Sequence, residues 1–338
     1  MSEATLQAWR DHALALEQEL NHVILGLKPA IRLLIISIFS RGHVLLEGNV
    51  GVGKTTLLRA AARGIGGGYQ RIEGTIDLMP QDLIYHTYIS REGKPKVEPG
   101  PLLMQGENLS VFFFNEINRA RPQVHSLLLR IMAERSVSAF NREYQFPHLQ
   151  VFADRNAVEK EETFELPGAA RDRFLMEIEI APENDAEIHK ALTFDTRFHD
   201  TDQLIQSVTP NRLNFAELSV VAPIIQNMVH AGNAVQDFVE HIRRATHRPQ
   251  DYGIHLPDVE MDELMMAGIG PRGSSMLVRA AKVSAWMNGR TNLTPEDIAS
   301  VFHEVVAHRV FFRPIYELQR TWLARAYTEA ILNHVPTP

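Results

Sequence analysis

The chain has 338 residues, of which 45% are hydrophobic and 22% charged, a balance that supports a packed core and excludes wholesale disorder. It contains no Cys, which excludes disulfides, zinc–thiolate sites and thiol catalysis. A formal net charge of −7 argues against a broad basic surface for nucleic acid.

In chain order, the N-terminus lacks the basic start and apolar core of a secretory signal. The longest apolar run, Leu33 to Phe39, falls far short of the roughly 20 residues a membrane span needs. The expectation is a cytoplasmic chain with no membrane span. Leu6, Trp9, Ala13, Leu16 and Leu20 recur every three or four residues, which predicts an amphipathic helix. It should pack on the chain's own core, a neighbouring subunit being the alternative.

His43 to Glu47 reads as a buried strand that runs into a Gly-rich turn, with a helix over Thr55 to Arg63. Tyr88 to Val97, turning around Gly93 and Pro95, reads as a hairpin. Val111 to Phe114 is a second buried strand, Gln123 to Ala133 a helix, and Leu149 to Ala153 and Met176 to Ile180 two further strands. This alternation predicts an α/β fold with a mainly parallel sheet. After about residue 183 the strands should stop. Helices are expected over Leu213 to Ala231, Ala234 to Thr246, Gly273 to Asn288, Thr294 to Val310 and Ile315 to Asn333. Thr294-Pro295-Glu296-Asp297 is a helix start, with a capping hydroxyl, a first-turn Pro and two acids at the positive dipole end. The expected domains are an N-terminal helix (1–25), an α/β core (26–183) and an all-α domain (184–338).

Gly48-Asn49-Val50-Gly51-Val52-Gly53-Lys54-Thr55, with Thr56 following, matches the phosphate-loop pattern G-x-x-x-x-G-K-[ST] in full. Glycines let backbone N–H groups turn inward on phosphate oxygens, Lys54 can neutralise them, and the Thr55 hydroxyl can ligate Mg²⁺. No Asn/Thr-Lys-x-Asp element for guanine is present, so ATP is expected over GTP.

The second buried strand ends in Asn115-Glu116, where ATP-hydrolysing folds usually carry Asp-Glu. At the carboxyl edge of a parallel sheet, Glu116 is placed to polarise an attacking water. Asn115 offers a carbonyl acceptor of carboxylate shape without the charge, which should weaken Mg²⁺ binding. On charge alone, Asn115→Asp is expected to lower the Mg²⁺ requirement. The His residues show no i, i+4 pair of zinc-site type.

Together, Gly48 to Thr55, Asn115-Glu116-Ile117-Asn118-Arg119-Ala120 and Glu165-Leu166-Pro167 through Asp172-Arg173-Phe174 resemble the MoxR group of AAA+ ATPases. Arg71 to Asp82, Gly100-Pro101, Gly270-Pro271-Arg272-Gly273 and Ala307-His308-Arg309 extend the likeness over about residues 20 to 312. The resemblance implies an AAA+ P-loop core followed by an all-α lid. It implies Asn156 as sensor 1, Arg173 as an arginine finger acting on a neighbouring subunit (Arg171 being close enough to be confused with it), and Arg272 as sensor 2. It also implies ATP and Mg²⁺ as ligands, a hexameric ring, a client enzyme and a partner with a von Willebrand factor A domain. The likeness is to the branch tied to methanol dehydrogenase maturation. The expected activity is ATP hydrolysis that remodels or activates a client. The alternative is a nucleotide-gated scaffold with negligible hydrolysis because of Asn115. Two departures stand out: Asn-Glu replaces Asp-Glu, and Asp154-Arg155-Asn156-Ala157 replaces Thr-Gln-Asn-Pro. Asp154 reads as a surface acid, with partial restoration of charge near magnesium as the other reading.

Overall fold

The computed structural model describes residues 3–156, 163–181 and 185–338, with side chains from residue 5. Ala157 and the expected boundary at 183/184 lie outside the described residues. The chain divides into two compact units, one running to Phe174 and from Ile178 to Val221, the other holding Ala222–Pro338 with Leu175–Glu177.

The first unit opens with α1 (Glu3–Val23), which buries Leu6, Trp9, Ala13, Leu16 and Leu20 in the chain's own core. The apolar run at Leu33 belongs to α2 (Lys28–Phe39), a helix buried on nearly every side, started by a first-turn Pro. Next come β1 (His43–Gly48), α3 (Lys54–Ile65), β2 (Gly68–Glu73) and a short α4 (Pro80–Ile84). The expected hairpin is β3 (Tyr85–Ile89) with β4 (Pro95–Pro99), exposed along most of its length. Then follow β5 (Leu109–Asn115), α5 (Pro122–Glu134), a second hairpin of β6 (Ser136–Ala139) and β7 (Arg142–Gln145), and β8 (Gln150–Arg155). After these come α6 (Gly168–Arg171), β9 (Phe174–Ile180), α7 (Ala186–Phe194) and α8 (Thr201–Gln206).

Five strands form one sheet in the order β2-β5-β8-β1-β9, and the pairings β2–β5, β5–β8 and β8–β1 are parallel. Four of these strands were legible as apolar runs. β2 was not, because it is an edge strand whose Gln70, Arg71 and Glu73 keep partial exposure.

The three Phe residues of β5 are fully buried. Phe112 and Phe114 face Val124, Leu128 and Ile131 of α5, and their rings meet edge-on at 6.4 Å. Phe112→Ala is expected to lower unfolding stability by about 3–5 kcal/mol, the range for emptying a packed aromatic site. Chemical denaturation checks this, and a loss below about 1 kcal/mol would contradict the packing described.

α9 (Leu218–Met228) is followed by α10 (Asn233–Ala245), α11 (Met261–Leu264), α12 (Pro271–Met287), α13 (Pro295–Val306) and α14 (Arg320–His334). Helices dominate as expected, with these differences: α9 is shorter than Leu213 to Ala231, α11 is an extra short helix, and β10 (Met265–Ala267) and β11 (Phe311–Phe312) form a two-stranded antiparallel pair. Each strand has only two or three residues, too few to leave a period-2 pattern. α13 starts at Thr294 as expected, but the contact that holds the start is the Asp297 carboxylate reaching back to accept the Thr294 N–H at 3.2 Å and the Thr294 hydroxyl at 3.1 Å. Tyr327 of α14 is fully buried and donates its hydroxyl to the Ala245 carbonyl at 3.0 Å, so the one polar atom of a large apolar side chain is satisfied. Among the described residues no helix is long and apolar enough to cross a membrane.

Candidate functional site

Parallel pairing brings the carboxyl ends of β1, β5 and β8 to one edge of the sheet. Leu46 is in register with Asp154, and Phe114 with Ala153, so the residues that follow each strand converge. The loop leaving β1 requires its glycines for two different reasons. Gly51 and Gly53 both sit at φ +85°, a region side chains rarely adopt. Gly48 lies so close to β9 that a Cβ there would fall 2.5 Å from the Ile180 carbonyl oxygen.

Lys54 is the first residue of α3 and is buried, its Nζ donating to the Asn49 carbonyl at 2.9 Å and to that of Gly48. Its charge and the N-terminal dipole of α3 make this end of the helix attractive to an anion. The Thr55 hydroxyl lies 3.4 Å from Oδ1 of Asn115. Asn49 to Thr56, Asn115, Glu116, Asp154 and Asn156 line one cleft of about 280 Å³.

Asn115 ends β5 and is largely buried, and its Nδ2 donates to Oε1 of Glu73 at 3.1 Å. Glu116 then leaves the strand at φ +51°, an uncommon conformation for a residue with a side chain. Three contacts hold that turn. The Glu116 N–H donates to Oδ1 of Asp154 at 2.6 Å, and the Glu116 carboxylate pairs with Nε of Arg119 at 3.0 Å. The Gly74 N–H donates to the Asn115 carbonyl at 2.8 Å. A Cβ on Gly74 would sit 2.2 Å from the Glu116 oxygen, so only glycine permits this approach. Beneath the turn, His125 is buried and bonds the Ile117 carbonyl at 2.7 Å, and burial pulls its imidazole below the usual range.

Asp154 is not the surface acid expected from its sequence context. It is 3% exposed and lines the cleft, because β8 is a central strand and its last residues remain covered. Burial pushes its carboxyl above the usual carboxylate range, against the opposing pull of the Glu116 N–H and of Lys54.

Asn156 follows β8 directly and reaches the cleft. Arg173 sits between α6 and β9, partly buried, with Nε lacking a hydrogen-bond partner. Neither Arg171 nor Arg173 is among the cleft's lining residues. Arg272 is exposed in the first turn of α12, in the other unit.

Two features escaped the sequence reading. Glu73 lies within Arg71 to Asp82, where nothing in the sequence alone gives it a role. An apolar pocket of about 470 Å³ also adjoins the loop at Val50 and Thr56, walled by Val23, Ile24 and Leu27 on one side and Leu192, Phe198 and Leu204 on another. Such walls suit a flat, largely apolar group such as a nucleobase. The phosphate-loop residues border both spaces, so one ligand with a base and a charged tail can occupy both.

The oxygens presented by Thr55, Asn115 and Asp154 are hard donors of the kind Mg²⁺ takes beside phosphate oxygens, so the residues present fit that ion.

Comparison with known proteins agrees with this geometry. Residues 43–176 match the ATPase family associated with various cellular activities (AAA), and residues 261–326 match the AAA lid domain. The chain is 58% identical over 336 residues to Protein MoxR of Methylorubrum extorquens, covering 99% of this chain and 98% of that protein. Protein MoxR of Paracoccus denitrificans is 51% identical, with 99% of both chains covered. Chaperone MoxR1 of Mycobacterium tuberculosis is 33% identical over 86% of this chain and 74% of that protein. The crystal structure of a proposed ATPase from Cytophaga hutchinsonii superposes with a TM-score of 0.83 at 26% identity, covering 99% of this chain and 98% of that one.

Proposed function

Because the chain belongs to the MoxR family of AAA+ ATPases, we propose that it hydrolyses ATP and uses the turnover to remodel or activate a client enzyme. The observation that carries this reading is the convergence of Lys54, Thr55, Asn115, Glu116, Asp154 and Asn156 on one cleft beside an apolar pocket. In it, the loop N–H groups and Lys54 hold the phosphates, and the apolar walls hold adenine. Thr55 and Asn115 face the Mg²⁺ position, where the ion, when bound, neutralises phosphate charge. Glu116 orients the attacking water, and its backbone is held for that task by Asp154. Asn156 acts as sensor 1 on the γ-phosphate side.

Arg173 acts in trans as the finger of a hexameric ring, and Arg272 acts as sensor 2 from the lid, with 26–183 and 184–338 as the working domains. The client we favour is a metal- or cofactor-dependent oxidoreductase such as methanol dehydrogenase, met in the cytoplasm and linked through a von Willebrand factor A domain partner. The β3–β4 hairpin is a candidate client contact, since it exposes Ile89 and Val97 beside Arg91, Lys94 and Lys96.

Asn115 favours one second reading, a nucleotide-gated scaffold with negligible turnover. Steady-state phosphate release at saturating Mg²⁺ decides between them, and no turnover above background, even with a partner present, overturns the ATPase reading. The trans arginine has its own test. Arg173→Ala and Glu116→Gln should each be inactive, and mixing them should restore roughly a quarter of wild-type turnover, because random assembly leaves about one interface in four with both groups. Failure to complement counts against a finger supplied by the neighbour.

A further inference from the structure

We propose that Glu73 is a positioning residue for the metal side of the cleft, and that Glu73 and Asn115 work as one amide–carboxylate unit whose charge sits on β2 rather than on β5. The proposal rests on the reading of the cleft as a Mg²⁺–nucleotide site.

β2 and β5 run parallel with Glu73 directly in register with Asn115. Side chains paired in this way stand on the same face of a sheet, within reach of each other. Nδ2 of Asn115 donates to Oε1 of Glu73 at 3.1 Å. A carboxylate can only accept, so it fixes which way the amide points. The NH₂ group is committed to Glu73, and Oδ1 is turned toward the Thr55 hydroxyl, 3.4 Å away. That is the side from which an Asn can serve a cation. The flipped amide would present N–H donors there, and in a side chain only 6% exposed it would also leave the Glu73 bond unmade. Asn alone has no such preference. Glu73 supplies it.

Glu73 also returns a negative charge to this edge of the sheet. Its other oxygen pairs with Arg71 at 3.2 Å, a half-exposed contact that steadies the carboxylate while solvent screens the pair. On the opposite side of the cleft, Asp154 is engaged by the Glu116 N–H. Each acidic group therefore has a fixed partner, and the amide of Asn115 separates two carboxylates.

This arrangement reverses the expectation drawn from charge alone. With Glu73 in place, Asn115→Asp sets one carboxylate against another at hydrogen-bond distance. The two repel, the bond is lost, and Glu73 is driven off. Glu73→Gln combined with Asn115→Asp transposes donor and acceptor instead. The amide now on β2 then donates to the carboxylate now on β5 across the same gap, with the same shape and the same total charge.

The test uses four full-length proteins: wild type, Asn115→Asp, Glu73→Gln and the double variant. Binding of a fluorescent, slowly hydrolysed ATP analogue is titrated with Mg²⁺, and thermal midpoints are recorded without nucleotide. Asn115→Asp should raise the Mg²⁺ needed for half-maximal binding by about tenfold, the scale of lost support behind a metal ligand, and should lower the midpoint. The double variant should bring the Mg²⁺ requirement back to within about twofold of wild type and restore the midpoint, a rescue that independent sites cannot give. Effects that simply add in the double variant, or an Asn115→Asp protein that binds at lower Mg²⁺ than wild type, overturn the proposal. Failure of the wild type itself to bind the analogue with Mg²⁺ instead sinks the nucleotide reading of the cleft.

Discussion

Glu116→Gln is expected to bind ATP as tightly as wild type and to turn it over at least about a hundredfold more slowly. The side chain keeps its length and can still accept from Arg119 through its amide oxygen, and the two contacts of the turn made by backbone N–H groups, Glu116 to Asp154 and Gly74 to the Asn115 carbonyl, are left alone. What is removed is the charge, which aligns the attacking water and pairs with Arg119 at the partly exposed edge of the turn. The expected result is therefore split, with binding intact and phosphate release lost. Equilibrium binding of a fluorescent ATP analogue and steady-state phosphate release measure the two halves. If both fall together, Glu116 is holding the cleft in shape. If neither changes, the water is aligned by another group and the assignment is wrong.

Lys54→Ala is expected to act at the other end of the sequence of events, raising the dissociation constant for ATP by about 10- to 100-fold through loss of a charge-assisted contact. Lys54 lies buried against the carbonyls of Gly48 and Asn49, so its ammonium is held at the mouth of the loop before any phosphate arrives. Removing it takes away the one cationic side chain in the loop sequence and also frees those two carbonyls. Calorimetric titration checks the affinity, and a thermal midpoint measured without nucleotide checks that the fold survives. An unchanged dissociation constant would mean that backbone N–H groups carry the binding alone.

Much of this site could be read from residue order. The glycines at 51 and 53 are required by a conformation of their own backbone, and Lys54 and Thr55 follow at fixed spacing, so the phosphate loop is a local object. The strand Val111 to Phe114 announced itself by unbroken apolar character, because a central parallel strand is covered on both faces. The helix start at Thr294 was equally local, since Asp297 reaches back only three residues. What failed was what depends on neighbours brought from elsewhere. β2 was overlooked because an edge strand keeps polar residues. Asp154 was misplaced because its burial comes from the strands on either side, not from its own sequence.

The sequence by itself determined the phosphate loop, the alternation of buried strands and helices, and the exchange of Asp for Asn at position 115. The loop is a local motif, the strands and helices show in the spacing of their apolar residues, and the residue at position 115 is read directly. Only the tertiary structure decided what that exchange means. Parallel register sets Glu73 beside Asn115 across 42 residues of chain, folds Asp154 under Glu116, and gathers Val23, Leu192 and Phe198 around one pocket. Strand register and packing are agreements between distant segments, and such agreements leave no local pattern for a single sequence to display.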